Sequence, residues 1–250
     1  MRPLGYFLLS ALLWISSYGC DAPEGGQAAE RVLPAPQEVL RKSLAFHDPA
    51  EQWPQARLKL TLAEPRIGFA ERVSRVQLDQ QRGRFELLRE YDGLPVARIL
   101  TKDSCYSLIN GQPVTDTALI NQYRLQCERT LGYQGFYELL TGLPMTLFTP
   151  DVALGPDTRA LPFAGSPCYE ISARLNNPVI SEDWVFYFDQ ATFQLRGFGY
   201  AAAEGGEYLE IDGLAHIQQM QLPRMRHWYS RADSAYLGSD ILIDVSSLPE

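Results

Sequence analysis

Alternation of apolar and polar residues with period two runs through most of this 250-residue chain, and it restricts the fold more than any other feature. Arg57 to Glu64 is the cleanest case. Leu58, Leu60 and Leu62 share one face and Arg57, Lys59 and Thr61 the other, which is the pattern of a half-buried strand. Further strands are predicted at about 72–78, 84–91, 96–102 and 105–109. Gly83 and Gly93 mark turns between them, and Asn110-Gly111 is a strong hairpin signal. Strands resume at about 168–174, 184–189, 194–201, 207–211, 215–220, 224–230 and 237–243. Between the two sets, residues 145–166 carry Pro150, Pro156 and Pro162 and read as a long irregular loop. Short strands joined by turns in succession are antiparallel hairpins. A sheet of about a dozen strands does not stay flat and tends to curl. The expected fold class is therefore mainly β with helices (α+β), built on a strongly curved antiparallel sheet.

One stretch breaks this pattern. In Cys127 to Leu147 the apolar residues Tyr133, Phe136, Tyr137 and Leu140 fall at i, i+3, i+4 and i+7, the spacing of a helix face. The helix is expected to stop at Gly142 in a left-handed conformation, with Pro144 preventing continuation. Gly132 and Gly135 are unfavourable in a helix interior and imply close approach to a neighbour. Glu128 and Arg129 are expected to form a partly buried bridge that fastens the helix start. A shorter helix is predicted over 116–125, and another over 36–47. The latter begins at Pro36 and ends at His47-Asp48-Pro49, with Trp53 as an aromatic plug behind the turn.

The net charge of −8 disfavours a nucleic-acid partner, which requires a basic face. Arg57, Lys59, Arg66, Arg72, Arg75, Arg82, Arg84 and Arg89 make the early strands locally basic, and they read as a solvated sheet face. At the N-terminus, Tyr6 to Ile15 is an apolar run too short to span a bilayer and fits the core of a secretory signal. Small residues at Ser17 and Gly19 just before Cys20 resemble a lipobox, in which the cysteine becomes the lipidated first residue. The expected organisation is a signal peptide over 1–19, a lipid-anchored tether over 20–34 and a single domain over 35–250, with a helical insertion at about 116–141. The tether is rich in Gly, Ala, Pro and Glu, the composition of a flexible linker.

Without Cys20 three cysteines remain, so an oxidising compartment leaves one pair and one free thiol. Cys105 on a strand and Cys127 at the helix start form the favoured pair, and Cys168 begins a strand as a small buried thiol. His47, His216 and His227 share no metal-ligand spacing, and no phosphate loop or nucleophile elbow occurs. No metal or cofactor is expected, and His47 and Asp48 are assigned a structural role. Trp184, Phe186 and Phe188 point to one face by parity and line that face of the curved sheet with large rings.

The FHDP segment with Trp53, CER at 127–129, GLPM at 142–145, WVFYFD at 184–189 and PRMRHWY at 223–229 together resemble a family of uncharacterised bacterial envelope lipoproteins. That family is similar to the LolA/LolB-like lipoprotein carriers. The resemblance spans about His47 to Ile243. It implies a half-open barrel closed by helices over an apolar cavity, and a lipid or other hydrophobic small molecule as ligand. The ligand site would comprise Leu58, Leu60, Trp184, Phe186 and Phe188, with Tyr133, Phe136, Tyr137 and Leu140 as a lid. The expected location is the cell envelope, anchored through Cys20 to the outer membrane and facing the periplasm, with no catalysis. Two alternatives stand beside this: a filled-core module for another envelope protein, and a hydrolase using His47 or His227.

Overall fold

In the computed structural model, described for residues 32–176, 178–201 and 205–249, thirteen strands form one antiparallel sheet. The predicted signal peptide, Cys20 and nearly all of the tether lie outside the described residues. Helix α1 (Pro36–His47) leads into β1 (Arg57–Glu64), β2 (Arg72–Asp79), β3 (Arg84–Tyr91), β4 (Leu94–Leu100), β5 (Cys105–Ile109) and β6 (Gln112–Pro113). Helices α2 (Thr117–Gln122) and α3 (Cys127–Gly142) follow. The chain then continues through β7 (Val152–Phe163), β8 (Ser166–Leu175), β9 (Asp183–Asp189), β10 (Leu195–Tyr200), β11 (Glu207–Ile217), β12 (Met220–Ser230) and β13 (Tyr236–Ser247). Strands β1–β6 and β7–β13 are two meanders, zipped together where β1 pairs with β13. Strands β6 and β7 are the free edges, so the sheet is open.

The alternation in β1 sets its register, since a slip of one residue would expose Leu58, Leu60 and Leu62. All three are buried, as are Val76 and Leu78 of β2 and Phe85 and Leu87 of β3. With Trp53, Tyr137 and Met145 they form one apolar cluster. A second cluster joins Val39 and Leu40 of α1 and Leu139 and Leu140 of α3 to Ile171, Trp184, Phe186, Phe188, Phe198 and Leu209. Helices α1 and α3 therefore pack on the face that the parity of Trp184, Phe186 and Phe188 selected.

The expected loop over 145–166 is instead mostly β7, a strand of twelve residues. Proline removes a ladder donor, and its presence argued against a strand. Pro156 and Pro162 are tolerated because β7 is an edge, where a missing N–H costs no pairing. The two runs at 207–211 and 215–220 are largely one strand, β11. Gly213 sits inside it at φ +66° and lets the strand bend without ending.

Helix α3 ends at Gly142, but not through a left-handed residue: the residue capping it, Leu143, has φ −66°. A Cβ at position 142 would overlap the indole of Trp53, so glycine is needed there for contact rather than for conformation. Gly135 likewise lies against Val179, whereas Gly132 faces open space. The Glu128–Arg129 bridge does not form. Both residues are exposed, as neighbours in sequence on a helix point in different directions. The helix start is fastened by the disulfide instead, which joins Cys105 to Cys127 with 6.0 Å between the Cα atoms. Cys168 is a buried free thiol.

Asp48 accepts hydrogen bonds from the backbone N–H groups of Gln52 (2.9 Å) and Trp53 (2.8 Å), and so shapes the turn that carries the Trp53 ring to Gly142. Asp48→Ala is expected to cost about 1–2 kcal/mol in urea unfolding, as two backbone donors, that of Trp53 buried, lose their acceptor. A loss below ~0.3 kcal/mol would show that the turn holds without them.

Candidate functional site

The helix-facing side of the sheet is not wholly apolar. Glu64, Ser74, Arg89, Arg98, Arg226 and Asp240 are buried and come from six neighbouring strands, β1, β2, β3, β4, β12 and β13. Glu64 is the centre of this row. Its Oε2 accepts from Arg72 Nε (2.6 Å), Ser74 Oγ (2.7 Å) and Arg89 Nη2 (3.3 Å), and its Oε1 accepts from the Tyr137 hydroxyl (2.6 Å). Burial alone would raise the Glu64 carboxyl, but the charges of Arg89 and Arg72 hold it below its ordinary value. Burial likewise opposes the Arg89 guanidinium, which Tyr137 and Glu64 keep above its ordinary value.

A second knot surrounds Asp240, which accepts from Arg66 Nη2 (2.5 Å) and from the Trp228 indole (2.7 Å). Arg226 beside it is driven down to about 10 by burial, with Asp240 opposing, and stays charged at neutral pH. Its Nε donates to the Leu140 carbonyl (3.1 Å), satisfying one of the orphan acceptors at the end of α3. Helix α3 thus rests on charged groups as well as on apolar ones. Tyr133 has the guanidinium carbons of Arg89 and Arg98 at 4.9 and 5.2 Å from its ring centre, within cation–π range.

Among the described residues, two adjoining clefts open at the sheet end that holds the β1–β2, β3–β4 and β12–β13 connections, and a third of about 390 Å³ lies farther along that end against Trp184, Tyr200 and Arg231. The larger, about 850 Å³, runs from Glu64 and Arg66 past Phe69, Arg72 and Val73 to Tyr91 and Gly93. The smaller, about 330 Å³, is lined by Arg66, Glu207, Trp228 and Leu237, so the two meet at Arg66. The Trp228 ring stacks on Phe136 of α3 at 6.2 Å. Ile67 and Phe69 project from the β1–β2 connection, 64% and 79% exposed.

The structure brings the residues expected to bind a ligand together, but largely as mutual packing. Leu58, Leu60, Tyr137, Leu140, Trp184, Phe186 and Phe188 are all buried within the two apolar clusters, and Tyr133 and Phe136 are partly buried against them. Of this set, Phe136 touches a ring that lines a rim cleft.

His47 is fully buried, and both ring nitrogens are engaged. Nδ1–H donates to the Gln221 carbonyl (2.6 Å) and Nε2 accepts from the Leu195 N–H (3.0 Å). It ties the end of α1 to β10 and β12. His227 lies across the strands from Ser239, with Nδ1 2.7 Å from Oγ, but Ser239 is 2% exposed and also contacts the Tyr236 hydroxyl. Among the described residues no group of His, Cys, Asp and Glu could hold a metal ion, and no helix is long and apolar enough to cross a membrane.

This open antiparallel sheet with helices packed on one face has similar folds among solved structures. A LolA superfamily protein from Nitrosomonas europaea matches with a TM-score of 0.51 at 12% identity, over 87% of this chain and 96% of that one. The chain itself belongs to the DUF6503 family, a family of unknown function, whose model matches residues 34–245. A DUF1329 family protein from Desulfovibrio piger is similar at a TM-score of 0.47 and 9% identity, over 84% of this chain and 92% of that one. Comparison with curated proteins finds no match.

Proposed function

We propose that this DUF6503 protein is a lipid-anchored component of the bacterial envelope, attached through Cys20 to the outer membrane on its periplasmic side. It binds a lipid or other hydrophobic ligand and performs no catalysis. The observation that carries this reading is the rim cleft over Trp228, where the stacked Trp228–Phe136 pair and Leu237 lie at the boundary between the aromatic interior and solvent. An alkyl chain laid there gains about 25 cal/mol for each Å² of apolar surface removed from water. The helices α1 and α3, packed on the sheet, close the interior behind it.

Native mass spectrometry tests this on the protein carrying Cys20→Ser, purified from the periplasm without detergent. The expected result is a mass excess, lost on denaturation, that identifies as lipid. A bare protein mass, with no uptake of added fatty acid or phospholipid, would overturn it. The second reading, a module for an envelope protein partner, is favoured by the filled packing of Leu58, Leu60, Phe186 and Phe188 and by the exposed Ile67 and Phe69. It predicts the bare mass.

A further inference from the structure

Glu207 opens β11 with the parity of Leu209 and Ile211, which are buried on the helix-facing side of the sheet. It is half-buried in the wall of the smaller rim cleft, which it shares with Arg66, Trp228 and Leu237. Its Oε2 accepts from the hydroxyl of Tyr200, its neighbour across the β10–β11 ladder, at 2.6 Å. Its Oε1 has no hydrogen-bond partner among the described residues. Tyr200 is 7% exposed and belongs to the aromatic cluster, so a donor from the interior fixes the carboxylate at the cleft. The Tyr200 phenol is held above its ordinary value by its burial and by this carboxylate.

Two other acids of this face each hold an arginine, Glu64 through Arg72 and Arg89 and Asp240 through Arg66. Glu207 has no cation within ion-pair distance among the described residues. Arg66 is the cation of the same cleft, but its guanidinium is engaged elsewhere. Its Nη2 donates to Asp240 (2.5 Å), and its Nη1 donates to the carbonyls of Pro65 and Ser239. Arg226, on the same strand as Trp228, donates to the Leu140 carbonyl instead. The cleft thus combines an apolar wall, Trp228 and Leu237, with one carboxylate that keeps an oxygen free. An ionised carboxylate only accepts hydrogen bonds, and its strongest partner is a charged donor.

We propose that Glu207 receives the ammonium group of an amphiphile whose alkyl chain lies in the smaller rim cleft along Trp228 and Leu237. Apolar sites fix the orientation of a ligand through a few polar groups, and Glu207 is the group of this cleft left to do so. The ammonium belongs either to a long-chain amine or to the head of a zwitterionic lipid. This rests on the hydrophobic-ligand reading and names the ligand's polar end.

Isothermal titration of the protein carrying Cys20→Ser with decylammonium, decylphosphocholine, decanol and ethylammonium tests it, each alkyl probe below its micelle concentration. At least one ammonium-bearing alkyl probe is expected to bind about tenfold more tightly than decanol. Glu207→Gln should abolish that preference while decanol still binds. The glutamine amide oxygen still accepts from the Tyr200 hydroxyl, so the variant is expected to fold, and circular dichroism checks this. A preference for decylammonium alone would make the source a cationic amphiphile, and one for decylphosphocholine a zwitterionic lipid. Affinities for both ammonium probes no higher than for decanol would overturn the ammonium site and leave the hydrophobic-ligand reading intact. A preference that persists in folded Glu207→Gln would remove Glu207 from the site. Binding of none of the four probes would overturn both readings. Glu207-dependent binding of ethylammonium without any alkyl probe would support the cation site and overturn the hydrophobic-ligand reading.

Discussion

Glu64→Ala is expected to destabilise the fold by about 3–5 kcal/mol, because it leaves Arg89 buried without its carboxylate. The carboxylate accepts from four side chains, and three of these, Ser74, Arg89 and Tyr137, are themselves buried. Its loss also removes the 2.6 Å acceptor of the Tyr137 hydroxyl, the direct contact between α3 and β1, and leaves that hydroxyl with Ser74 Oγ at 3.1 Å and the Arg89 donor. Urea unfolding at neutral pH measures the effect, and a loss below ~1 kcal/mol would show that the row relaxes or admits water. The double variant Glu64→Ala, Arg89→Met separates pairing from packing. A buried ion pair costs desolvation on both sides, and its replacement by apolar groups is often nearly neutral. The double variant should therefore be more stable than Glu64→Ala alone. If the two losses simply add, the pair is not coupled and the row is only a set of independent contacts.

That row marks the limit of what alternation reveals. Period two placed Leu58, Leu60, Trp184, Phe186 and Phe188 on the correct face, since their burial needs only a side and not a partner. The arginines of the early strands read as a solvated face, and for Arg89 this was wrong: it is 3% exposed. Its phase was visible, because Arg89 shares parity with Phe85 and Leu87, as Arg98 does with Val96. Hydropathy assigns charge to water. Only the pairing of β2 with β1 and β3 brings Glu64 within reach of Arg72 and Arg89, and only the pairing of β1 with β13 brings Asp240 to Arg66. Strand β7 was hidden for a different reason, since Pro156 and Pro162 are breakers everywhere except on an edge, and edge position is a property of the completed sheet. The rim clefts were illegible for the same cause: Arg66, Glu207, Trp228 and Leu237 come from distant parts of the chain.

Acid should destabilise the protein through His47 before it reaches the carboxylates. Burial lowers the His47 imidazole from the ordinary 6.5 to about 4, with the hydrogen bond to the Gln221 carbonyl opposing. Only the neutral ring with its proton on Nδ1 satisfies both bonds, because protonated Nε2 would oppose its own hydrogen to the Leu195 N–H. The unfolded chain takes up the proton near pH 6.5, while the folded chain resists until about pH 4. Stability from this group is therefore complete above pH 6.5 and is lost as pH falls toward 4, by about 2 kcal/mol at pH 5 and about 3 in all. Glu64, held low in the folded state, adds its loss only at more acidic pH, as its unfolded value is that of an ordinary carboxyl. Urea unfolding at intervals between pH 7 and 5 isolates the histidine. The native protein should lose stability steadily across that range, and His47→Gln, less stable at pH 7, should change little. Equal slopes in the two proteins would place the titration elsewhere. Because His47 joins α1 to β10 and β12, its protonation should first loosen α1, whose Val39 and Leu40 cover the aromatic cluster around Phe186 and Phe198.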